Sequence, residues 1–411
     1  MSSGSNIPEG WVEASLGEIS KVQTGPFGSQ LKNEQYVTGG TPVITVEHIA
    51  DFRIKDFDYP SVTDEDKSRL SRYVLKAGDI VFTRVGSVDL SAYVSENQDG
   101  WLFSSRMLSV RPNKHIDSKF LSYFFRQESF RNYILKIAVG ATMPSINTGI
   151  LKELPVKYPS IDKQKAIAGI LTAFDDKIEL LQAQNKTLEE TAQTIFKEWF
   201  GKYQIGDELP EGWRVAKLGE IVNIYDSKRI PLSKGERENR KGSYPYHGAT
   251  SVMDYVDEYI FDGVHLLFAE DGSVIDENGF PFLQYAWGKF WVNNHAHVLQ
   301  GKNGYSTEML YVLCKKMRVS EMITGAVQLK INQGNLLGFE LIIPDQNTLN
   351  EFNITIQPLY EKLRINCDQI QTLTKTRDTL LPKLMSGEIR VNEFRRNETF
   401  VAHKPSPTQA P

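Results

Sequence analysis

The sequence has little cysteine and no long apolar run. Among its 411 residues are two cysteines, Cys314 and Cys367, without a CxxC pair. This excludes a disulfide framework and a cysteine-based zinc site, and it favours a reducing compartment. No stretch approaches the roughly 18 uninterrupted apolar residues of a membrane-spanning helix, and the opening MSSGSN does not resemble a signal peptide. We therefore expect a cytoplasmic protein without membrane contact.

Motifs for nucleotides, cofactors and catalysis are also missing. The sequence has no GxGxxG and no GxxxxGK[ST], and no two prolines are adjacent, so the Asn/Asp-Pro-Pro-aromatic turn of amino-methyltransferases is absent. Glu65–Lys67 and Asp175–Lys177 fit the loose Asp/Glu-x-Lys pattern of nucleases, which is common by chance. His295 and His297 alternate on a strand, without a cysteine or acidic residue at metal-ligand spacing. We expect no catalytic, cofactor or metal site.

Positive charge is not in excess. The chain has 47 basic and 51 acidic residues, a formal net charge of −4, which argues mildly against nucleic acid as a partner. The loop 228–241 departs from this average, with six basic residues against two acidic ones and with Tyr244, Tyr246 and His247 close behind. Such a mixture is typical of a surface that binds phosphates and bases, although a solvated polar loop is the alternative.

What the sequence does contain is a pair of heptad seams, with apolar residues at alternating steps of four and three. They predict two long helices, over 160–200 and 345–391, and the first would be about 58 Å long, too long for one compact lobe. The first seam comprises Ile167, Leu171, Phe174, Ile178, Leu181, Asn185, Leu188, Ala192, Ile195 and Trp199. The second comprises Phe352, Ile356, Leu359, Leu363, Asn366, Ile370, Leu373, Arg377, Leu380 and Leu384.

The two seams belong to a tandem duplication. They are offset by 185 residues, and IPEGWVEASLGEI (Ile7 to Ile19) returns as LPEGWRVAKLGEI (Leu209 to Ile221). The chain therefore repeats one order: lead-in, variable domain with short strands, long helix. The predicted parts are a first domain at 1–159, a first helix at 160–200, a second domain at 201–344, a second helix at 345–391 and a disordered tail at 392–411.

One asparagine in each seam predicts the direction of helix pairing. Asn185 aligns with Ile370, and Asn366 aligns with Leu181, so a parallel pair would place each asparagine against an aliphatic side chain. An antiparallel pair related by a two-fold axis would place Asn185 opposite Asn366. A buried polar pair of this kind fixes register and orientation. We therefore predict an antiparallel coiled coil; the alternative is that either asparagine lies where the seam frays.

Taken together and in duplicate order, several motifs resemble the specificity (S) subunit of Type I restriction-modification enzymes. They cover nearly the whole chain. The motifs are TAQTIFKEWF (Thr191 to Phe200), LLPKLMSGEIRV (Leu380 to Val391), the twin PEGW…LGEI lead-ins, TGPFGSQLK, GDIVFTRVGSV and VNNHAHVL. The resemblance implies an α+β fold: a tandem duplication of two mixed α/β target recognition domains separated by two long helices that form an antiparallel coiled coil.

The resemblance also implies a function and partners. Each recognition domain would read one half of a bipartite, asymmetric target in double-stranded DNA. Two methyltransferase (M) subunits would dock on the chain and methylate adenine N6, and two restriction (R) subunits would translocate and cleave DNA. S-adenosylmethionine, ATP and Mg would all belong to those partners, and this chain would be no enzyme. We predict partner docking on the exposed helix faces and around Trp199 and Leu384.

Base readout needs polar and aromatic side chains on loops that reach base edges. In the first domain we select, from such loops, Gln23, Phe27, Ser29, Lys32, Thr83, Arg84, Ser87, Arg106 and Thr142. In the second we select Lys228, Arg229, Tyr246, His247, Asp271, Ser273, Asn294, His295 and Lys330. For each, the alternative is a turn or a fold-supporting group.

Two other functions stay open at this point. The first is a DNA-independent scaffold that recruits proteins through two lobes on a coiled coil, which the slight negative charge favours and the basic loop opposes. The second is the specificity component of a related system in which methyltransferase and nuclease are fused. The target bases cannot be read from the sequence.

Overall fold

The computed structural model describes residues 7–26, 28–55, 57–140, 142–325 and 329–391. Phe27 and the predicted disordered tail 392–411 lie outside the described residues. Contacts divide the chain into two compact units. The first unit is Met1–Ile178 with Thr372–Pro411, and the second is Glu179–Gln371. Since the boundaries fall inside both long helices, each helix contributes one segment to each unit.

The first unit is built around a four-stranded antiparallel sheet with the order β2-β10-β7-β8. A second sheet, β6-β3-β9, contains one parallel pair, β3 with β9. The strands are β1 (Val12–Ser15), β2 (Ser20–Thr24), β3 (Thr41–Ile44), β4 (Ile49–Ala50), β5 (Arg53–Ile54), β6 (Ser61–Val62), β7 (Ile80–Thr83), β8 (Ser91–Tyr93), β9 (Leu102–Phe103), β10 (Met107–Pro112) and β11 (Pro155–Tyr158). The helices are α1 (Leu16–Ile19), α2 (Asp64–Arg69), α3 (Ser118–Arg126), α4 (Glu128–Ile137), α5 (Thr148–Lys152) and the long α6 (Ile161–Phe200).

Helix α3 shows why the aromatic-rich segment after β10 becomes a helix packed on the sheet. Asp117 caps its start by accepting a hydrogen bond from the backbone N–H of Phe120 at 2.9 Å. Phe120 and Phe125 are fully buried, and the Phe125 ring meets the ring of Phe82 on β7 edge-on at 4.7 Å. The apolar spacing of this helix thus fixes it against the four-stranded sheet.

The second unit repeats this architecture. Its antiparallel sheet has the order β13-β20-β17-β18, and its second sheet, β15-β14-β19-β16, again contains one parallel pair, β14 with β19. The strands are β12 (Arg214–Lys217), β13 (Val222–Ile224), β14 (Lys241–His247), β15 (Val252–Val256), β16 (Phe261–Asp262), β17 (His265–Ala269), β18 (Leu283–Ala286), β19 (Lys289–Val292), β20 (Ala296–Gly301), β21 (Ile323–Thr324), β22 (Lys330–Ile331) and β23 (Glu340–Ile343). The helices are α7 (Lys234–Asn239), α8 (Thr307–Cys314), α9 (Gln333–Gly338) and the long α10 (Gln346–Met385).

The long helices contact each other within each unit. In the second unit, the Asn366 side-chain N–H donates to Oδ1 of Asn185 at 2.9 Å. There, the Phe352 ring lies 5.9 Å from the ring of Phe196. From the asparagine contact to the phenylalanine contact, residue numbers rise along α6 and fall along α10, so these two helix segments run antiparallel. In the first unit, Arg377 on α10 pairs with Asp175 on α6 at 2.6 Å.

The ends of the long helices differ from part of the sequence analysis. Helix α10 ends at Met385 rather than at 391, because a turn with Gly387 at a φ of +73° follows it. Leu384 is fully buried in a cluster with Phe120 and Leu171, so its side chain packs inside the first unit and docking around it stays a prediction for the neighbouring residues. Trp199 is partly buried beside Phe352. Among the described residues, no helix combines the length and apolar character needed to cross a membrane.

Candidate nucleic-acid interface

Three loops of the first unit meet at one end of its antiparallel sheet. The backbone N–H of Arg84, just after β7, donates to the carbonyl of Arg106, just before β10, at 2.8 Å. The N–H of Gly86 donates to the carbonyl of Pro144, and the N–H of Ile146 donates to the carbonyl of Arg84. These bonds join the segments around residues 84, 106 and 145 into one surface.

The second unit builds the same surface with the same backbone bonds. The N–H of Glu270 donates to the carbonyl of His295 at 2.9 Å, and the N–H of Gly272 donates to the carbonyl of Leu329 at 3.1 Å. The N–H of Ile331 donates in turn to the carbonyl of Glu270 at 2.9 Å. The two units therefore share one backbone frame at this end of the sheet.

The shared frame requires glycine at one place. Gly86 and Gly272 follow β7 and β17 at equivalent positions, with φ of +83° and +78°. Residues other than glycine rarely adopt this left-handed conformation. The GS dipeptide that recurs in both halves of the sequence thus marks a turn, and the side chains around it are free to differ. Arg84 in the first unit occupies the place of Glu270 in the second.

In the first unit, four predicted DNA-contacting residues lie on this surface or next to it. Arg84 is half-buried and its guanidinium donates to Oγ1 of Thr24 at 3.3 Å. Arg106, Ser87 and Thr142 are exposed. The basic and hydroxyl groups therefore converge where three loops meet, which is the arrangement expected of a surface that contacts phosphates and base edges.

The other predictions in the first unit have mixed outcomes. Ser29 and Lys32 are exposed in the segment after β2, whereas the Gln23 side chain donates to the carbonyl of Arg72 at 2.8 Å. Phe27 lies outside the described residues. The prediction for Thr83 is wrong, because its side chain is fully buried and its hydroxyl donates to the carbonyl of Leu90 at 3.2 Å. Thr83 closes the turn after β7 instead.

In the second unit, the exposed part of the surface centres on His295. Its Nδ1 lies 2.5 Å from Oδ1 of Asp271, and the His295 side chain is 45% exposed, so the ring can still reach a ligand. Lys330 is exposed and pairs with Glu270 at 3.0 Å. Asn294 and Ser273 are also exposed. The sequence places these residues on two loops and on strand β22, and the fold brings them to one surface.

Beneath that surface lies a buried ion network. His297 is 1% exposed, and its Nδ1 lies 2.5 Å from a carboxylate oxygen of Asp226. Arg229 donates to Glu270 at 2.6 Å and pairs with Asp226 at 3.3 Å. Burial alone would raise the pKa of Glu270, but the hydrogen bonds from Arg229 and Lys330 outweigh it and hold the pKa below its ordinary value.

This network bears on two predictions. Among the described residues, Asp226, Glu270 and His297 are near enough to one another to share a metal ion. The guanidinium of Arg229 already bridges the two carboxylates, so the donor set is arranged as an ion network. Arg229 is only 12% exposed and has its donors occupied. Its predicted role as a DNA contact is therefore corrected to support of the fold.

The basic loop 228–241 carries less free charge than its composition indicates. Four of its six cations, Arg229, Arg237, Arg240 and Lys241, pair with acidic residues that come later in the chain, so most of the charge of the loop is compensated. The pairs include Arg237 with Asp254 at 3.4 Å, Arg240 with Asp257 at 3.0 Å and with Glu258 at 2.6 Å, and Lys241 with Asp254 at 2.6 Å. Lys228 is exposed and lies over the ring of Tyr225 at 4.9 Å.

The two aromatic predictions near the end of β14 are corrected. Tyr246 is 1% exposed, and its hydroxyl accepts a hydrogen bond from the N–H of Leu232 at 2.9 Å. His247 is 8% exposed, with Nδ1 at 2.9 Å from Oε1 of Gln284. Burial lowers the pKa of His247, and the bond to Gln284 offsets this only in part, so the ring is neutral at pH 7. Tyr246 therefore holds the segment that precedes α7, and His247 links β14 to β18 of the other sheet.

Two supporting residues, Asn293 and Gln284, are not among those that the sequence predicts. Asn293 is buried, and its Oδ1 accepts the N–H of His295 at 2.8 Å, which fixes the exposed histidine in place. The sequence indicates Asn293 only through its position next to Asn294, a predicted DNA contact. Gln284, on β18, binds the end of β14, and nothing in its sequence surroundings indicates this.

Comparisons with known proteins agree with the duplicated architecture. The sequence model of a family described as Type I restriction modification DNA specificity domain matches residues 8–190 and again 210–375. The chain is similar to the specificity subunit of the Type I restriction enzyme MjaIX from Methanocaldococcus jannaschii, with 28% identity covering 94% of this chain and 95% of that protein. It is also similar to the HindI specificity subunit from Haemophilus influenzae, with 21% identity covering 92% and 99%.

A solved structure supports the fold. The crystal structure of the Type-I restriction-modification system S subunit from M. genitalium aligns with a TM-score of 0.59 and 18% identity, covering 93% of this chain and 98% of that chain. At this identity, the likeness concerns the fold alone. The predicted family resemblance and the predicted tandem arrangement of two mixed helix-and-sheet domains are confirmed.

Proposed function

Because the chain belongs to the Type I restriction modification DNA specificity family, we propose that it is the DNA sequence-recognition subunit of a Type I restriction-modification complex. Each recognition domain reads one half of a bipartite target. The observation that carries this proposal is the repeated backbone frame at the end of each antiparallel sheet. The first unit carries Arg84 and Arg106 on this frame, whereas the second unit carries Glu270 and His295 at the equivalent positions. One frame with different side chains suits an asymmetric target whose two halves differ in base sequence.

The proposal assigns the chemistry to partners. Two methyltransferase subunits and two restriction subunits assemble with this chain for adenine-N6 methylation or cleavage. S-adenosylmethionine, ATP and Mg bind to those partners, whereas this chain contributes recognition and positioning in the cytoplasm. The ion network around Arg229 supports this division of labour, because carboxylates already paired with a guanidinium are poor ligands for a catalytic metal.

The long helices form an antiparallel coiled coil in this proposal. The hydrogen bond between Asn366 and Asn185 supports it, and Asn366 is fully buried at that contact. The Phe352 ring packs 4.9 Å from the ring of Phe200 at the other end of the same segments. An amide pair inside an apolar seam favours one register over others, since any shift would leave an amide against aliphatic side chains.

Replacing both asparagines by leucine tests this role. We expect the Asn366→Leu single variant to lower Tm, because Asn185 then loses the N–H donor that Asn366 supplies. The Asn185→Leu/Asn366→Leu double variant should be more stable than the sum of the two single variants predicts, by about 1 kcal/mol or more. Thermal unfolding of all four proteins gives this coupling energy directly. Additive effects of the two substitutions would show that the pair does not fix the register.

The proposed function is tested by mapping adenine methylation. Cells that carry the cognate methyltransferase, with or without this chain, are compared by single-molecule sequencing. Methylation at a split motif is expected only where the chain is present, since recognition resides in this chain. The same methylation in both strains would remove the chain as specificity determinant and leave the scaffold function. A nuclease activity that co-purifies with the methyltransferase polypeptide would identify the fused system.

A further inference from the structure

The connection between β14 and β15 presents a short polar turn that the sequence analysis did not select. It runs from Gly248 to Ser251 and is closed by a hydrogen bond from the N–H of Gly248 to the carbonyl of Ser251 at 2.8 Å. Thr250 and Ser251 are exposed. Hydroxyl side chains of this kind bind phosphate oxygens and base edges.

The side chain of Gln284, which belongs to a neighbouring sheet, holds the start of this turn. The Gln284 amide nitrogen donates to the carbonyl of Gly248 at 2.9 Å and to the carbonyl of Ala249 at 3.1 Å. Its Oε1 lies 2.9 Å from Nδ1 of His247. Gln284 thus contacts three consecutive residues at the start of the turn.

These contacts fix the orientation of both polar side chains. Since only the amide nitrogen of Gln284 can donate to two carbonyl oxygens, its Oε1 must face His247. The neutral His247 ring therefore carries its hydrogen on Nδ1 and donates it to Gln284. Every donor of the Gln284 side chain is used, so no other residue type of this size reproduces the arrangement.

The turn is also tied to the exposed His295. The backbone N–H of Asn293 donates to the carbonyl of His247 at 3.1 Å, and Oδ1 of Asn293 accepts the N–H of His295 at 2.8 Å. Asn293 is 4% exposed and belongs to the segment between β19 and β20. The β14–β15 turn and the His295 surface are therefore held by adjoining hydrogen bonds.

We propose that the segment Ala249–Ser251 is a further DNA-contacting segment of the second recognition domain and that Gln284 is its positioning residue. This inference rests on the proposed function. The ligand is double-stranded DNA at the second half of the target. Gln284 acts through the turn and through His247, whereas Thr250 and Ser251 supply the groups that reach the DNA.

The chain offers a matched control for Gln284. Gln300 on β20 also donates its amide to a backbone carbonyl, that of Val264, at 2.9 Å. Because Leu266 pairs with Leu299 while Ala269 pairs with Ala296, Gln300 lies at the opposite end of the same sheet from His295. Gln284→Met and Gln300→Met each remove an amide that donates to backbone carbonyls, but only Gln284 contacts the β14–β15 turn.

The experiment maps methylated sites in cells that express the cognate methyltransferase with the wild-type chain, Gln284→Met, Gln300→Met or the double variant Thr250→Ala/Ser251→Ala. We expect Gln284→Met and the double variant to lower methylation of the full motif about tenfold or more. The residual sites should be degenerate in the second half and unchanged in the first. Gln300→Met should keep the wild-type motif.

Two outcomes separate failure of this inference from failure of the proposed function. A wild-type chain that confers no split motif contradicts the proposed function itself. A wild-type chain that confers the motif, with a double variant that keeps both its sequence and its level of methylation, overturns the inference alone. The double variant decides the matter even where Gln284→Met folds poorly, since Thr250 and Ser251 are exposed.

Discussion

Replacing Asp175 by leucine is expected to lower the free energy of unfolding of the first unit by about 3–5 kcal/mol. The Asp175 carboxylate is 5% exposed and accepts from Arg126 at 2.5 Å, from Arg377 at 2.6 Å and from the Tyr123 hydroxyl at 2.7 Å. Arg126 is on α3, whereas Asp175 and Arg377 are on the two long helices. Removing the carboxylate leaves two little-exposed guanidinium groups without their shared partner, which costs more than the ion pair contributes.

The neighbouring aspartate provides the control. Asp176 is exposed on the same helix, so Asp176→Leu should change stability by about 0.5 kcal/mol or less. Hydrogen exchange is the appropriate measurement, because it reports the first unit separately from the second. Amides of α3 should exchange faster in Asp175→Leu and at the wild-type rate in Asp176→Leu. Equal exchange in the two variants would show that the ion network does not hold α3 against the helices.

The pH dependence of this effect follows from the pKa of Asp175. Burial raises that pKa, but the interactions with Arg126, Tyr123 and Arg377 outweigh burial and lower it below its ordinary value. A carboxyl group with a lowered pKa in the folded state stabilises it fully above the unfolded pKa of about 3.9 and loses this contribution as pH falls. The stability difference between wild type and Asp175→Leu should therefore be constant near pH 7 and shrink below about pH 4.

Periodic features of this chain could be predicted because they depend on local spacing. The predicted helices, 160–200 and 345–391, agree with the observed Ile161–Phe200 and Gln346–Met385 to within one residue at three of the four ends. The fourth end was placed too late, since the turn at Gly387 depends on a backbone conformation rather than on apolar spacing. The GS dipeptide at Gly86 and at Gly272 marks the frame shared by both units, because its turn requires glycine at a fixed place.

Contacts between distant parts of the chain could not be predicted in this way. The basic composition of its loop predicts Arg229 as a DNA contact, yet its partner Glu270 is 41 positions away. The aromatic ring of Tyr246 predicts a DNA contact, but whether a residue faces the core depends on strand register, and β14 contains register shifts. Composition shows which side chains are available, whereas burial and pairing decide which of them remain free to contact DNA.

Replacing Gly25 by alanine is expected to lower methylation of the split motif by about tenfold or more, with the residual sites degenerate in the first half. A Cβ at Gly25 would lie 2.0 Å from the carbonyl oxygen of Ser104. That oxygen belongs to backbone, so relief requires displacing either the end of β2 or the segment that leads to Arg106. The N–H of Gly25 also donates to the carbonyl of Met107 at 3.1 Å, which leaves little room for such a shift.

Gly28→Ala is the matched control, because a Cβ there meets nothing within 4 Å. It should keep the wild-type motif, although it lies in the same loop, three positions further along the chain. Sequencing of methylated adenines in cells that carry each variant gives both the level of methylation and the bases required in each half of the target. If Gly25→Ala and Gly28→Ala gave the same motif at the same level, the close approach at Ser104 would not constrain recognition. A loss confined to the first half of the motif, by contrast, assigns that half to the first recognition domain, because Gly25, Ser104 and Arg106 all belong to the first unit.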